Sequence, residues 1–258
     1  MQRTSSLNLI FGAQPIFFFL IPVDYNDIMA RHYASYRPPL HRPILKTALG
    51  TERFGTGLDV GCGTGISTKA LLAFCRQVVG TDPSEAMLSQ AKATHNTLFC
   101  KMTGNKLPFP DAHFDICTYA GSWWYGKSDA LLQETLRVTA PNGTLLLYDF
   151  EVRLAPYLDL LQLTAPPPSG YDHRADFSGF AAAPELLTKQ QREFSLDMDP
   201  TSMAHLLCAD ANLYGQLTTI YGETHLFERL VQELQRHENN KWPAVMAVAH
   251  LSRYRAHS

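Results

Sequence analysis

Residues 58–68 read LDVGCGTGIST, a short apolar strand (Leu58-Asp59-Val60) running directly into a turn with glycine at every second position (Gly61, Gly63, Gly65), with a helical segment behind it. Glycine reaches backbone conformations closed to other residues and lets a ligand approach the main chain closely. In open α/β sheets such turns lie at the carboxyl ends of the strands, where ligands bind. A dinucleotide fingerprint requires G-x-G-x-x-G; here the sixth position is Ile66 and the third glycine comes one residue early, so the turn fits NAD poorly. Asp59 inside the motif also sits badly beside a pyrophosphate, whereas a carboxylate can balance a ligand ammonium group.

Outward from this turn, apolar runs alternate with helical segments. QVVGTD (77–82), TLFCKM (97–102), FDICTYAG (114–121) and TLLLYDF (144–150) read as strands, with helices over Ser67 to Cys75, after Ser84 as cap, and over DALLQETLRV (129–138). Pro141-Asn142-Gly143 reads as the turn into the fifth strand. Strands joined by helical crossovers predict a parallel sheet covered on both faces. After residue 151 the alternation breaks down: 165–184 is a loop rich in Pro, Gly and Ala, REFSLDMD (192–199) reads as a sixth strand, Met203 to Ala209 and Leu226 to Leu234 as helices, and AVMAVAHL (244–251) as a buried last strand. Asp82 ends the second strand, where a carboxylate can accept hydrogen bonds from both hydroxyls of a ribose. Asp59 and Asp82 together point to a nucleoside that carries an amino acid.

LDVGCGTGIST (58–68), GTDPSEAML (80–88), LPFPDAHFD (107–115) and LRVTAPNGTLLL (136–147) together resemble the class I S-adenosylmethionine-dependent methyltransferases of the small-molecule branch often called methyltransferase type 11, over about residues 30–150. The resemblance implies an α/β fold, a doubly wound, seven-stranded Rossmann-like sheet whose last strand is antiparallel, with an N-terminal cover and a helical cap insertion. It implies S-adenosyl-L-methionine as cofactor, held at its methionine end by Asp59 and the turn Gly61, Cys62, Gly63 and Gly65, at its ribose by Asp82, and at its adenine by Pro83 and Met87. Relatives carry an acidic residue before Leu-Pro-Phe to read the adenine edge. Here Thr103, Gly104 and Asn105 stand there and the acid is missing, leaving Thr103 or Asn105 to bond the adenine amino group. The domain reading that follows is an extension of uncertain role over 1–29, a cofactor-binding core over 30–150, a substrate cap with the sixth strand over 151–240, and the last strand over 241–258.

The chain has 258 residues, 45% hydrophobic and 18% charged, enough for a sizeable core, and a formal net charge of −2 with no dense Lys/Arg run. Nucleic acid is therefore excluded as the expected partner, and a small-molecule acceptor favoured. Five cysteines without a C-x-x-C pair read as buried, reduced thiols, predicting a cytoplasmic protein without disulfides or a bound metal. Residues 7–23, LNLIFGAQPIFFFLIPV, superficially resemble a secretory signal, but Gln14, Pro15 and Pro22 interrupt them and no small-x-small site follows the Phe17-Phe18-Phe19 core. No membrane association is expected; a loosely packed extension, or a start of the working protein near Met29, are the alternatives.

On the substrate side, Tyr33 and Tyr36, in a Y-x-x-Y-R-P segment that in relatives folds over the cofactor, stand either at the pocket or packed on the sheet. Trp123 and Trp124 follow the fourth strand and are expected to shape the acceptor pocket; Trp123 occupies the position where relatives carry a histidine. His32, His41, His113 and His205 are candidates to lie near the pocket, none distinguished by spacing, so no catalytic residue is assigned. The aromatics of 151–240 favour a mostly apolar small acceptor. A catalytically inactive cofactor-binding protein and an NAD-type reductase remain the alternatives in function.

Overall fold

A computed structural model describes residues 29, 31–32, 35–238 and 244–257. The apolar stretch 7–23 and Tyr33 lie outside the described residues. Among the described residues, no helix is long and apolar enough to cross a membrane.

Helix α1 (His41–Leu49) leads into β1 (Phe54–Val60), followed by α2 (Ile66–Leu71), β2 (Cys75–Asp82), α3 (Glu85–Leu88), β3 (Thr97–Lys101), β4 (Phe114–Ala120), α4 (Trp123–Gly126), α5 (Asp129–Val138) and β5 (Thr139–Arg153). Then come α6 (Ala155–Leu160), β6 (Glu185–Leu196), α7 (Pro200–Cys208), α8 (Ala211–Tyr221), α9 (Leu226–Glu238) and β7 (Val245–Arg255). The seven strands form one sheet in the order β3-β2-β1-β4-β5-β7-β6. The pairs among β1 to β5 are parallel, and β7 runs antiparallel to both β5 and β6. This is the doubly wound, seven-stranded sheet with an antiparallel last strand that the motifs led one to expect.

Each face of the sheet carries its own apolar layer, as a sheet wound on both sides must. On one face Ile44 and Leu45 of α1 and Leu71 of α2 join Met203, Leu207, Leu230 and Leu234 of the later helices in a continuous core. On the other, Leu58, Val60 and Phe114 pack with Leu131 and Leu132 of α5 and with Phe177 from the 165–184 loop. The helices after residue 200 therefore share their core with α1 and the sheet. Side-chain caps start α3 and α7: Ser84 accepts from Met87 N at 3.3 Å, and Asp199 from Ser202 N at 2.9 Å.

Several elements depart from the reading of the chain, among them the helix read over Ser67 to Cys75, which ends at Leu71 with Cys75 opening β2. The Pro141-Asn142-Gly143 turn is absorbed into β5 as an irregularity: Phe114 pairs with Thr139 but Ile116 with Thr144, and Asn142 takes φ 59°. The sixth strand spans 185–196 rather than 192–199, because ELLTKQQREFSL is a largely exposed edge strand paired along β7 and shows no run of buried residues that would mark its start. Helix α8 (211–221), capped by Asp210, has only Leu213 and Leu217 as buried residues, too short an apolar stripe to mark it in the chain. The five cysteines are all unbridged.

Candidate cofactor and acceptor site

The glycine turn joins the tip of β1 to the start of α2. Gly61, Gly63 and Gly65 take φ of 71°, 53° and 82°, left-handed values that strain any residue with a side chain. At Gly61 the space is also taken, since a Cβ there would collide with Ser122 from beyond β4. At Gly63 a Cβ would meet nothing within 4 Å, so this side of the turn is open to a ligand.

Asp82 closes the turn from the neighbouring strand: Oδ2 accepts Gly63 N at 2.9 Å and Oδ1 accepts Ser84 N at 2.8 Å. Each oxygen keeps a second lone pair for a further donor. Met102 N donates to the Asp82 carbonyl at 3.2 Å, which brings the exposed turn Thr103-Gly104-Asn105 beside Pro83. Met87, 40% exposed on α3, leaves an apolar surface at the same edge. Cys62 is buried, and burial with the nearby charges of Asp59 and Asp82 pushes its thiol far above the ordinary value, so it stays neutral.

Asp59 is placed otherwise than expected. It is 0% exposed and accepts hydroxyl hydrogen bonds from Ser67 at 2.6 Å, Thr68 at 2.8 Å and Thr118 at 3.1 Å, so it braces the turn from beneath rather than facing a ligand ammonium. Burial raises its carboxyl to about 6, against the hydroxyl hydrogen bonds that favour the anion.

Beyond β4 lies a separate cleft, reached from the turn through Ser122. The Ser122 hydroxyl donates to the carbonyl of Val60, and Gly121, its neighbour, faces Asp149 of β5 so closely that a Cβ would lie 3.0 Å from Oδ1. Tyr171 Oη stands 2.8 Å from both the Gly121 carbonyl and Asp149 Oδ2. His173 Nδ1 lies 2.9 Å from Asp149 Oδ2. Together with Trp124 and His250, these residues line a cleft at the carboxyl ends of β4 and β5.

Trp124 lines this cleft half-buried, with its ring under Lys127 at 3.3 Å and beside Tyr171 at 5.8 Å. Trp123 corrects the expectation of an open pocket wall. It is 2% exposed, donates its indole N–H to the Asp176 carbonyl at 3.0 Å and packs edge-on against Tyr119 and Phe177, touching the cleft only from within the core. Tyr36 packs against the core of the α1 face with its hydroxyl buried and unpartnered; burial and the nearby Asp199 raise that hydroxyl.

The four histidines singled out in the chain lie elsewhere than the Asp149 cleft. His32 and His205 face each other with 2.9 Å between their Nδ1 atoms, His113 stacks on Phe109, and His41 is buried against Tyr148 Oη at 3.1 Å. Burial, with the charge of Arg37, pushes His41 down to about 4 despite the opposing Asp149. The residues the chain did not announce are Asp149 and His173. Asp149 is the acidic member of the strand end YDF, and His173 is a single histidine in a proline-rich loop, with no spacing to connect the two.

Residues 58–147 match the family model described as a methyltransferase domain. Over 92 residues the chain is 39% identical to the malonyl-[acyl-carrier protein] O-methyltransferase of Erwinia billingiae, covering 34% of this chain and 36% of that protein. Over 109 residues it is 38% identical to the ubiquinone/menaquinone biosynthesis C-methyltransferase UbiE of Pseudomonas fluorescens, covering 36% and 41%. The chain spans about half or less of the length of the curated relatives it matches. Among solved structures, one described as a type II methyltransferase from Anaeromyxobacter dehalogenans superposes with a TM-score of 0.60 at 16% identity, over 86% of this chain and 99% of that one, a likeness of fold.

Proposed function

Residues 58–147 belong to the methyltransferase domain family, and on that premise we propose that the chain is an S-adenosylmethionine-dependent methyltransferase acting on a small, mostly apolar molecule. The observation that carries this reading is the hydrogen bond that ties Asp82 to the glycine turn at Gly63, beside its open side. Asp82 and the open side of Gly63 form one hydrogen-bonded edge, and the Gly61–Ser122 contact leads from that edge to the Asp149 cleft. The donor set fits the cofactor: a turn with room at Gly63, a carboxylate at the strand tip with lone pairs to spare for ribose hydroxyls, and apolar surface at Met87 for an adenine face.

In this reading Asp82 holds the ribose, the backbone of 61–65 the methionine end, and Pro83, Met87 and the 103–105 turn the adenine. Asp59 keeps the turn in shape through Ser67 and Thr68. When bound, the cofactor supplies an electrophilic methyl group on a sulfonium. The chain's contribution is to align the acceptor and exclude water, with the half-buried Trp124 and Tyr171 walling the cleft. The two relatives differ by name in the methylated atom, oxygen in one and carbon in the other.

The test is transfer of label from methyl-labelled S-adenosylmethionine to a panel of small aromatic and aliphatic hydroxyl, thiol, amine and activated-carbon acceptors. Transfer to at least one is expected. Cofactor binding without transfer to any would favour a non-catalytic binding protein.

A further inference from the structure

We propose that His173, oriented by Asp149, is the general base that takes a proton from the acceptor, and that the acceptor is accordingly a molecule methylated at a hydroxyl. This rests on the methyltransferase reading above and deepens it.

Three observations lead to it. The first is the pairing: His173 Nδ1 lies 2.9 Å from Asp149 Oδ2, a carboxylate whose other oxygen takes the Phe150 N–H at 2.7 Å and which Tyr171 Oη also approaches at 2.8 Å. Such a carboxylate fixes an imidazole in the tautomer with its proton on Nδ1, leaving the lone pair of Nε2 outward. The second is availability. Among the described residues Nε2 has no hydrogen-bond partner, and the His173 side chain is 32% exposed, at the wall of the cleft. The third is location, since the pair sits against Gly121, next to the Ser122 that lies over the glycine turn.

Elementary chemistry gives these facts their meaning. A neutral hydroxyl is a weak nucleophile and must lose its proton as its oxygen is alkylated, whereas a neutral amine or a thiolate needs no base in the attacking step. In the step proposed, the acceptor O–H bond breaks with its electron pair left on oxygen, and the proton forms a new bond to Nε2. The resulting imidazolium is stabilised by Asp149 and later returns its proton to solvent.

Burial lowers the affinity of the His173 imidazole for a proton, but the hydrogen bond it donates to Asp149 and the charges of Asp149 and Glu151 on β5 and Asp172 on its own loop outweigh burial and hold it above the ordinary histidine value. His250 on β7 faces it from the other side; burial above all, with His173 and Arg174, keeps His250 below its own ordinary value. His250 therefore stays neutral while His173 titrates. Activity on a hydroxyl acceptor should rise with pH as His173 loses its proton.

The experiment uses the full chain, His173→Gln and Asp149→Asn, with three readouts. Calorimetry with S-adenosylmethionine should give the same dissociation constant for wild type and His173→Gln, within about threefold. Nitrogen-15 histidine NMR should show wild-type His173 titrating above the ordinary value with the neutral proton on Nδ1, and Asp149→Asn should lower that midpoint. Labelled methyl transfer to phenol and catechol probes should fall by about 100-fold or more in kcat for His173→Gln, with the acid limb of the wild-type pH profile lost. Transfer to thiol probes should change by less than threefold. No binding of S-adenosylmethionine by wild type overturns the methyltransferase reading and this proposal with it. Normal binding together with a His173 midpoint indifferent to Asp149→Asn, undiminished phenol methylation in His173→Gln, or wild-type transfer confined to non-hydroxyl acceptors overturns the base alone.

Discussion

Asp82 accepts the backbone N–H of Gly63 at 2.9 Å, so the tip of the second strand and the middle of the glycine turn are held as one unit. A ligand bound by either is felt by both. Asp82→Ala removes the proposed ribose acceptor and the anchor of the turn, and should weaken S-adenosylmethionine binding by roughly 1.5–3 kcal/mol, the range for hydrogen bonds to a charged group. Equilibrium binding to the variant checks this, with Asp82→Asn expected to lose less because it keeps an acceptor oxygen. An unchanged dissociation constant in Asp82→Ala would remove Asp82 from the site.

Asp59 is buried beneath the same turn with its carboxyl raised to about 6. In the unfolded chain an aspartate titrates near 4, so between about pH 4 and 6 the folded state binds more protons, and the Asp59 contribution to stability is full below that window and lost as pH rises through it. Two pH units correspond to about 3 kcal/mol. Urea unfolding of wild type and Asp59→Asn across this range should show the wild-type advantage shrinking by about 2–3 kcal/mol as pH rises. A difference independent of pH would contradict the buried, hydroxyl-held carboxylate.

His41 acts in the opposite sense. Buried against Tyr148 and pushed down to about 4, it stays neutral in the fold while the unfolded chain takes up its proton near pH 6.5. Its stabilising contribution is present above pH 6.5 and is lost as pH falls towards about 4, a loss of about 3 kcal/mol. His41→Gln, which keeps a polar partner for Tyr148, lacks this loss, so relative to wild type it should gain about 3 kcal/mol of stability as pH falls from about 7 to about 4, followed by urea unfolding. Because Asp59 and His41 slope in opposite directions over overlapping windows, wild type should look flatter with pH than either variant.

The two tryptophans after β4 should separate cleanly. Trp123→Ala leaves a large void among Tyr119, Phe177 and Phe180 and frees the Asp176 carbonyl, so it should destabilise the fold by about 3–5 kcal/mol. Trp124→Ala, half-buried at the cleft, should cost less than about 1.5 kcal/mol while altering which acceptors are methylated. Melting temperatures and an acceptor panel for the two variants decide it; equal destabilisation would place Trp124 in the core as well.

The parts of the fold written most plainly in the chain are those where local chemistry and burial coincide. β1, β2, β4 and the middle of β5 (144–150) lie in the sheet interior, so they read as apolar runs that reach a glycine or aspartate at their ends. The edge strand β6 is exposed along most of its length, and its start at Glu185 is set by pairing with β7, which no local pattern reports. The same distinction governs the site. Asp82 and the glycine turn are 17–21 residues apart but carry their spacing as a motif. Asp149 and His173 meet only because the 165–184 loop folds back, pinned by Asp176 to Ser252 at 3.0 Å and to Lys189 at 2.8 Å. Asp59 stands inside the motif, but the side it faces is set by the hydroxyls of Ser67, Thr68 and Thr118, which no local pattern reports.

The central claim, that the Asp82 edge and the glycine turn form a site for S-adenosylmethionine, is met most directly by calorimetric titration of the full chain with S-adenosylmethionine and, in parallel, with NAD. Saturable binding of S-adenosylmethionine at one site, displaced by its demethylated product, with no heat from NAD, is the predicted result. Saturable NAD binding with no heat from S-adenosylmethionine would contradict it.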